Sequence, residues 1–333
     1  MLKTAKLLVV IVGIMSISCA ALAQKASDPQ PGKPVVIPTR YDAHRFVATP
    51  VTADNVQLSL FTDSAGGLFL YADTVERLKL SIVTLPQKEN GEAVRTVGLP
   101  NFKSGAMIPP PLGSLFEMRL FVFPRRAAND HGAIDRGDGM LGQQWFAGRV
   151  WTFDYPKQVL LWRAAGDLPL HDKSHEVKLG FKTNGVGKRA ANFARIPIDI
   201  DGETIDFVLD TGATNILSEE VLKQINDGGP AERATSFLAR SVFEKWHKKH
   251  SEWRTLENIK TLTGNAMIEV PSITIAGLKV GPVWFTVQPD AAFHSYMAQW
   301  MDKPTEGAIG GSALHYLRMT VDWPNAIAVF EQP

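Results

Sequence analysis

The sequence predicts an all-β chain of two lobes, built by internal duplication, with a helical insertion in the second lobe. Three observations carry this expectation. The first is a hairpin. Ile196, Ile198 and Ile200 alternate with other residues, turn at Asp201-Gly202, and return as Ile205, Phe207 and Leu209. That is the period of half-buried strands, and Asp-Gly is the dipeptide that tolerates the positive φ of a tight hairpin turn. The hairpin delivers Asp210 to the end of an apolar strand, where the small-residue turn Thr211-Gly212-Ala213 begins.

The second observation is a repeat of that setting. Laid on one another without a gap, Asp63 falls on Asp210, Ser64 on Thr211, Pro50 on Pro197, Phe69-Leu70 on Ile216-Leu217 and Leu78 on Ile225. The third is a later repeat at a different offset. Met140-Leu141-Gly142 falls on Ala308-Ile309-Gly310, and Thr152-Phe153-Asp154-Tyr155-Pro156 on Thr320-Val321-Asp322-Trp323-Pro324. The two Asp-aromatic-Pro runs read as turns between paired strands. The change of offset means that the second half carries extra residues. Phe237, Leu238, Val242, Phe243, Trp246 and Trp253 recur at roughly helical spacing among charged residues, so the extra segment is expected to include a surface helix or helix pair within Ala234–Leu256.

The chain has 333 residues, a formal net charge of +1, 45% hydrophobic and 21% charged residues. This is an ordinary globular balance with no basic field for nucleic acid. Lys3 and Lys6, the apolar run from Leu7 to Ile17 and Ala21-Leu22-Ala23 have the order of a secretory signal, so residues 1–23 are expected to be removed. Export to the periplasm or medium follows, with no membrane span left after removal. Cys19 is the single cysteine and lies in that leader, so the mature chain is expected to have no disulfide. Residues 24–44 hold Pro29, Pro31, Pro34 and Pro38 and read as an extended, poorly ordered linker. The first lobe is then 45–165 and the second 166–333, with the connection near Ala164–His175.

Chemistry-bearing residues are few. His247 and His250 lie three apart, but no third ligand accompanies them, and a solvated basic face is the simpler reading. No metal and no cofactor are expected. No G-x-S-x-G is present and the mature chain is expected to hold no Cys, which leaves little support for a Ser or Cys hydrolase. What remains is one carboxylate in each half, Asp63 and Asp210, on equivalent turns. Two carboxylates brought together across a twofold axis share a proton. The ionised one can deprotonate water while its partner protonates a carbonyl oxygen.

Two copies of apolar strand, Asp-(Ser/Thr)-small residue and strand, each followed by apolar-apolar-Gly, resemble the pepsin/retropepsin-like aspartic peptidases. The second copy, Phe207-Val208-Leu209-Asp210-Thr211-Gly212 with Ala308-Ile309-Gly310, is close. The first, Leu60-Phe61-Thr62-Asp63-Ser64-Ala65-Gly66 with Met140-Leu141-Gly142, departs at Ala65, where the family has Gly. An Ala there requires a negative φ and room for one methyl. The resemblance implies the two-lobed pepsin-like fold in a single chain, expected to act as a monomer. It implies an endopeptidase acting on peptide or protein substrates, with Asp63 and Asp210 catalytic. Ser64 and Thr211 would brace the two loops, Gly212 would permit close approach, and a flap hairpin would lie within Val94–Phe121. The alternative on the same fold is a catalytically silent peptide-binding protein.

Overall fold

The computed structural model describes residues 28–85, 93–112, 119–125, 137–259, 261 and 264–333. The expected leader, including Cys19, lies outside the described residues. The first half carries β1 (Val35–Val36), β2 (Thr39–Asp42), β3 (Arg45–Ala48), β4 (Leu60–Thr62), β5 (Leu68–Tyr71) and α1 (Ala72–Arg77). It continues with β6 (Ile82–Leu85), β7 (Val94–Val97), β8 (Leu120–Phe123), β9 (Gly139–Leu141), α2 (Gln143–Phe146), β10 (Val150–Asp154) and β11 (Val159–Arg163). The second half begins with β12 (Glu176–Lys178), β13 (Arg195–Ile200), β14 (Glu203–Leu209), β15 (Thr214–Ile216), α3 (Glu219–Ile225), β16 (Glu232–Ala234) and β17 (Ser236–Ala239). Then come α4 (Arg240–Lys249), β18 (Thr255–Glu257), β19 (Ala266–Val270), β20 (Ile273–Ile275), β21 (Leu278–Val280) and β22 (Val283–Gln288). It ends with β23 (Gly307–Ile309), α5 (Gly311–Leu314), β24 (Arg318–Asp322) and β25 (Ile327–Glu331). No described helix is long and apolar enough to cross a membrane.

Each half builds one sheet of the same central order. In the first lobe the strands run β2-β3-β4-β9-β5-β8-β7-β6, and in the second β21-β20-β13-β14-β23-β17-β22-β19-β18. β4 pairs parallel with β9 as β14 does with β23, and β5 and β17 each pair antiparallel with those strands on their other side. The halves meet in a third sheet, β1-β11-β10-β24-β25-β12. At its middle, Thr152 sits opposite Thr320, and their buried hydroxyls hydrogen bond at 2.7 Å. The pseudo-twofold axis passes between these two threonines. The two Asp-aromatic-Pro runs form the equivalent turns, with Asp154 and Asp322 each accepting a backbone N–H from three residues ahead.

Two expectations need correction. The Pro-rich stretch is extended but not poorly ordered in its second part. β1 is an edge strand paired with β11, and β2 is an edge strand in a hairpin with β3, places where backbone pairing and neighbouring prolines coexist. The mapping of the repeat also fails beyond the Asp turns. The counterpart of β5 is β17, not Ile216-Leu217, because β17 holds the place between β23 and β22 that β5 holds between β9 and β8. The extra segment of the second lobe is therefore β15-α3-β16. The helix expected within Ala234–Leu256 is α4, which follows β17 as α1 follows β5 and buries Phe243 and Trp246.

The core is shared. Leu60, Leu68, Leu70, Leu120 and Leu141 face inward from the first sheet, Ile196, Ile198, Phe207, Leu209 and Ile309 from the second, and Trp151, Phe153, Met319 and Val321 join them from the third. This continuous apolar layer fixes how the lobes sit, and with them the two Asp turns.

Candidate active site

The two turns are built alike. Asp63 leaves β4 with its N–H bonded to Leu141 O at 3.1 Å, and Asp210 leaves β14 with its N–H bonded to Ile309 O at 2.9 Å. Each carboxylate accepts a backbone N–H from two residues ahead, Ala65 to Asp63 Oδ1 at 2.9 Å and Gly212 to Asp210 Oδ1 at 3.1 Å. Each turn closes with a bond to the Asp carbonyl, from Gly66 at 3.0 Å and Ala213 at 3.2 Å.

Across the lobes the turns are tied side by side. Ser64 Oγ accepts the Thr211 N–H at 3.0 Å and donates to Leu209 O at 2.7 Å, while the Ser64 N–H donates to Thr211 Oγ1 at 3.1 Å. Ser64 and Thr211 are fully buried, so no water replaces these bonds if they break. Gly212 brings the turns closer still. A Cβ on it would lie 2.4 Å from Asp63 Cγ and 2.7 Å from Oδ2. The Asp63 carboxyl therefore packs against the backbone of the Asp210 turn, a contact open only to glycine. Asp63 is buried and Asp210 half-buried. The structure thus brings together all six residues read from the sequence, Asp63, Ser64, Ala65, Asp210, Thr211 and Gly212. Ala65 is absent from the residues with positive φ. Its methyl packs on the second lobe's cluster of Val208, Ala239, Phe293, Met301 and Ala308.

The walls beside the turns differ between lobes, which the sequence reading missed. On the first lobe, Val47, Phe61 and Met140 cluster with Phe69, and Met140 Sδ would lie 2.5 Å from a Cβ on Gly66. The aromatic face continues through Phe69–Tyr71 at 5.2 Å and Phe69–Phe123 at 5.3 Å, and Phe123 is exposed. The matching face of the second lobe, Val208, Ala308 and Phe237, is covered by Phe293 and Met301 from the helical segment 292–300 and the residue after it. Asp302 anchors that segment through a bidentate ion pair with Arg195, at 2.8 and 2.7 Å. Strand alternation signals an apolar face, but not which later segment will cover it.

The hairpin nearest the expected flap is β6–β7, with its turn outside the described residues. Asn101 and Lys103, which fall within Val94–Phe121, are held to the body through their backbones. Ala53 N–H bonds Asn101 O at 2.8 Å and Lys103 N–H bonds Val51 O at 2.9 Å. Pro109 and Pro110 are also anchored, because Trp145 Nε1 donates to Pro109 O at 2.8 Å and Arg149 to Pro110 O at 2.6 Å. His247 stacks on Phe243, while His250 stacks on Trp253 and bonds Asp201, so the two histidines face separate partners. Among the described residues no group of three His, Cys, Asp or Glu is placed to hold a metal.

A contact between lobes flanks the site. Arg45 is buried and bonds Glu232 at 2.6 Å, and His44 beside it stacks on His315 with centroids 4.1 Å apart. Tyr41 Oη shares a 3.0 Å hydrogen bond with His44 Nδ1. Burial first, then His315, Arg233 and Arg45, lower the His44 pKa to about 4, and burial lowers that of His315. The unfolded chain protonates near pH 6.5, whereas folded His44 resists to about pH 4. The unfolded state binds more protons in that window, so stability rises with pH across it and is lost as pH falls from about 6.5 towards 4. The melting temperature is expected to drop over this interval, and His44→Gln to flatten the drop. An equal drop in the variant would place its source elsewhere.

No family model matches the chain, and no curated protein matches it in sequence. Among solved structures it is similar to an aspartic proteinase from Irpex lacteus, at 14% identity and TM-score 0.48, covering 89% of this chain and 96% of that one. It is also similar to conglutin gamma, a basic 7S globulin from lupine seeds, at 11% identity and TM-score 0.47, covering 91% and 96%. Basic 7S globulin from soybean follows at 9% identity and TM-score 0.41, covering 90% and 94%. The chain is a mostly β, two-lobed, duplicated protein with one Asp turn from each lobe at the interface.

Proposed function

We propose that this protein is an aspartic endopeptidase in which Asp63 and Asp210 share one proton around an attacking water. The observation that carries the reading is the reciprocal Ser64–Thr211 contact, with Asp63 packed on Gly212, which joins the two Asp turns in one place. The ionised carboxylate takes a proton from water as the oxygen adds to the amide carbon, and the protonated one donates to the carbonyl oxygen. Collapse of the tetrahedral diol then breaks the C–N bond: the carboxyl that took the water proton passes it to the leaving amine, and the other carboxylate takes a proton back from a diol hydroxyl as the C=O reforms, which restores the shared proton. One chain supplies both turns, so a monomer suffices. The aromatic face of half-buried Phe69 and exposed Phe123, backed by buried Phe61, suits an apolar or aromatic substrate side chain beside the scissile bond.

The test is cleavage of a mixed peptide library near pH 4 and near pH 7, with and without a chelator. Acid-favoured cleavage, unchanged by chelation and absent in Asp210→Asn, supports the peptidase. The second reading, a silent peptide-binding protein, draws on Ala65 and on the covered face of the second lobe. It requires peptides to bind uncut at both pH values. Ala65→Gly separates the two. The methyl already has a packed position and needs no positive φ. Activity is therefore expected to change less than about threefold, with up to about 1 kcal/mol of stability lost through the freer unfolded chain. Cleavage that appears only in Ala65→Gly would identify a turn disabled by its alanine.

A further inference from the structure

The extra segment of the second lobe lies on the outer face of β19 and β22, where Leu217, Val221, Ile225 and Met267 make a small second core. They leave part of that face unfilled. A cavity of about 340 Å³ remains between the segment, the sheet and the β2–β3 turn of the other lobe. Neither Asp63 nor Asp210 lines it.

Its charge is unbalanced. The charged side chains along it are Asp227, Arg233 and Glu269, and Asp227 pairs with Arg233. His44 and His315 also reach it, and burial keeps both neutral near pH 7. Glu269 is half-buried, yet it has no ion pair and no side-chain hydrogen bond among the described residues. Its neighbours are aromatic. Glu269 sits directly opposite Trp284 in the β19–β22 register, so both side chains rise from the same face. Tyr316 closes the wall, its hydroxyl fixed to Pro282 O at 2.8 Å, near enough to Glu269 for that charge to add to the effect of burial on its phenol. Arg254, which does not line the cavity, lies 5.5 Å from the Trp284 ring centroid while its guanidinium bonds the carbonyl of Ile225 at 3.2 Å. Arg254 is the cross-strand neighbour of Glu269, whose N–H bonds Arg254 O at 2.9 Å, but its guanidinium is turned to the carbonyls at the end of α3 and makes no ion pair with the Glu269 carboxylate.

A carboxylate with no ion pair, beside π faces, attracts a cation, and the apolar walls of Met267 and Trp284 attract a hydrocarbon stem. We propose that this cavity binds a small primary ammonium ion on a short apolar or aryl stem, its charge against Glu269 and its stem against Trp284 and Met267. The volume suits a ligand of roughly ten non-hydrogen atoms, since a water takes about 30 Å³ of liquid. The site is separate from the Asp turns and does not depend on peptidase activity.

The experiment is calorimetric titration at pH 7 with 2-phenylethylammonium and its neutral counterpart 2-phenylethanol. The ammonium is expected to bind at least about tenfold more tightly, and Glu269→Gln to remove that advantage while leaving the alcohol unchanged. Asp210→Asn is expected to titrate as wild type. A melting curve confirms that Glu269→Gln is folded. Should it unfold, Trp284→Leu provides the second variant, expected to weaken both probes. Equal binding of the two probes, no ammonium binding by the folded protein, or a folded Glu269→Gln with undiminished ammonium binding would each overturn the proposal.

Discussion

Asp210→Asn is expected to slow peptide cleavage by about 10²–10⁴-fold, the range over which a positioned acid–base group contributes. The amide keeps an oxygen to accept the Gly212 N–H, now 3.1 Å from Asp210 Oδ1, so the turn retains its shape. It has no basic oxygen to take a proton from water and cannot share a proton with Asp63. Asp210 is half-buried rather than enclosed, and the cross-lobe bonds run through Ser64 and Thr211, so stability is expected to shift by less than about 1 kcal/mol. Initial rates on library-derived peptides, read with a melting curve, check both halves of the statement. A folded variant that cleaves at the wild-type rate would remove Asp210 from the chemistry, and Asp63→Asn asks the same of the other turn.

Gly212→Ala is expected to cost both activity and stability. The added methyl would lie 2.4 Å from Asp63 Cγ and 2.5 Å from its Cβ, well inside contact distance. Asp63 cannot swing aside freely, because it is buried and its Oδ1 holds the Ala65 N–H at 2.9 Å. The turns must part, and Ser64 and Thr211 then lose registry. Overpacking of this kind costs about 1–3 kcal/mol, and an ångström of displacement at the reacting groups costs about 10²-fold in rate. Gly98→Ala is the control, since nothing lies within 4 Å of a Cβ there. Equal melting temperatures and rates for the two variants would contradict the packing of Asp63 on Gly212.

The parts legible in the sequence are those whose cause is local. Asp201-Gly202 adopts the turn its residues favour, with φ of 54° and 79°, and pairs Ile200 with Glu203. The turns at Asp154 and Asp322 follow from short-range capping, and the paired Asp motifs from the duplication. The parts that resisted are decided by distant partners. Thr214–Ile216 and Ser236–Ala239 are both short strands after an Asp turn. Only pairing with β22 and β23, about fifty residues or more further on, selects the second as the counterpart of β5. The same holds for Phe293 and Met301, whose alternation reveals nothing about the sheet they cover. The Arg45–Glu232 and His44–His315 contacts join residues that no spacing relates. At Ala65 the local rule was informative in a different way, since it stated the condition, a non-positive φ, that the backbone meets.

The threonine pair at the centre of the third sheet has an implication for how a duplicated chain holds together. β10 and β24 lie antiparallel about the axis, with Thr152 directly facing Thr320 and Val150 facing Asp322. Each strand therefore presents an edge shaped to receive a near copy of itself. While both copies are on one chain, the tether keeps the mate at high local concentration and the edge is always capped. Separated, either half would carry an uncapped edge whose best available mate is the same edge on another molecule. The fusion of the two halves thus acts as protection against self-association, as well as a means of placing two carboxylates side by side.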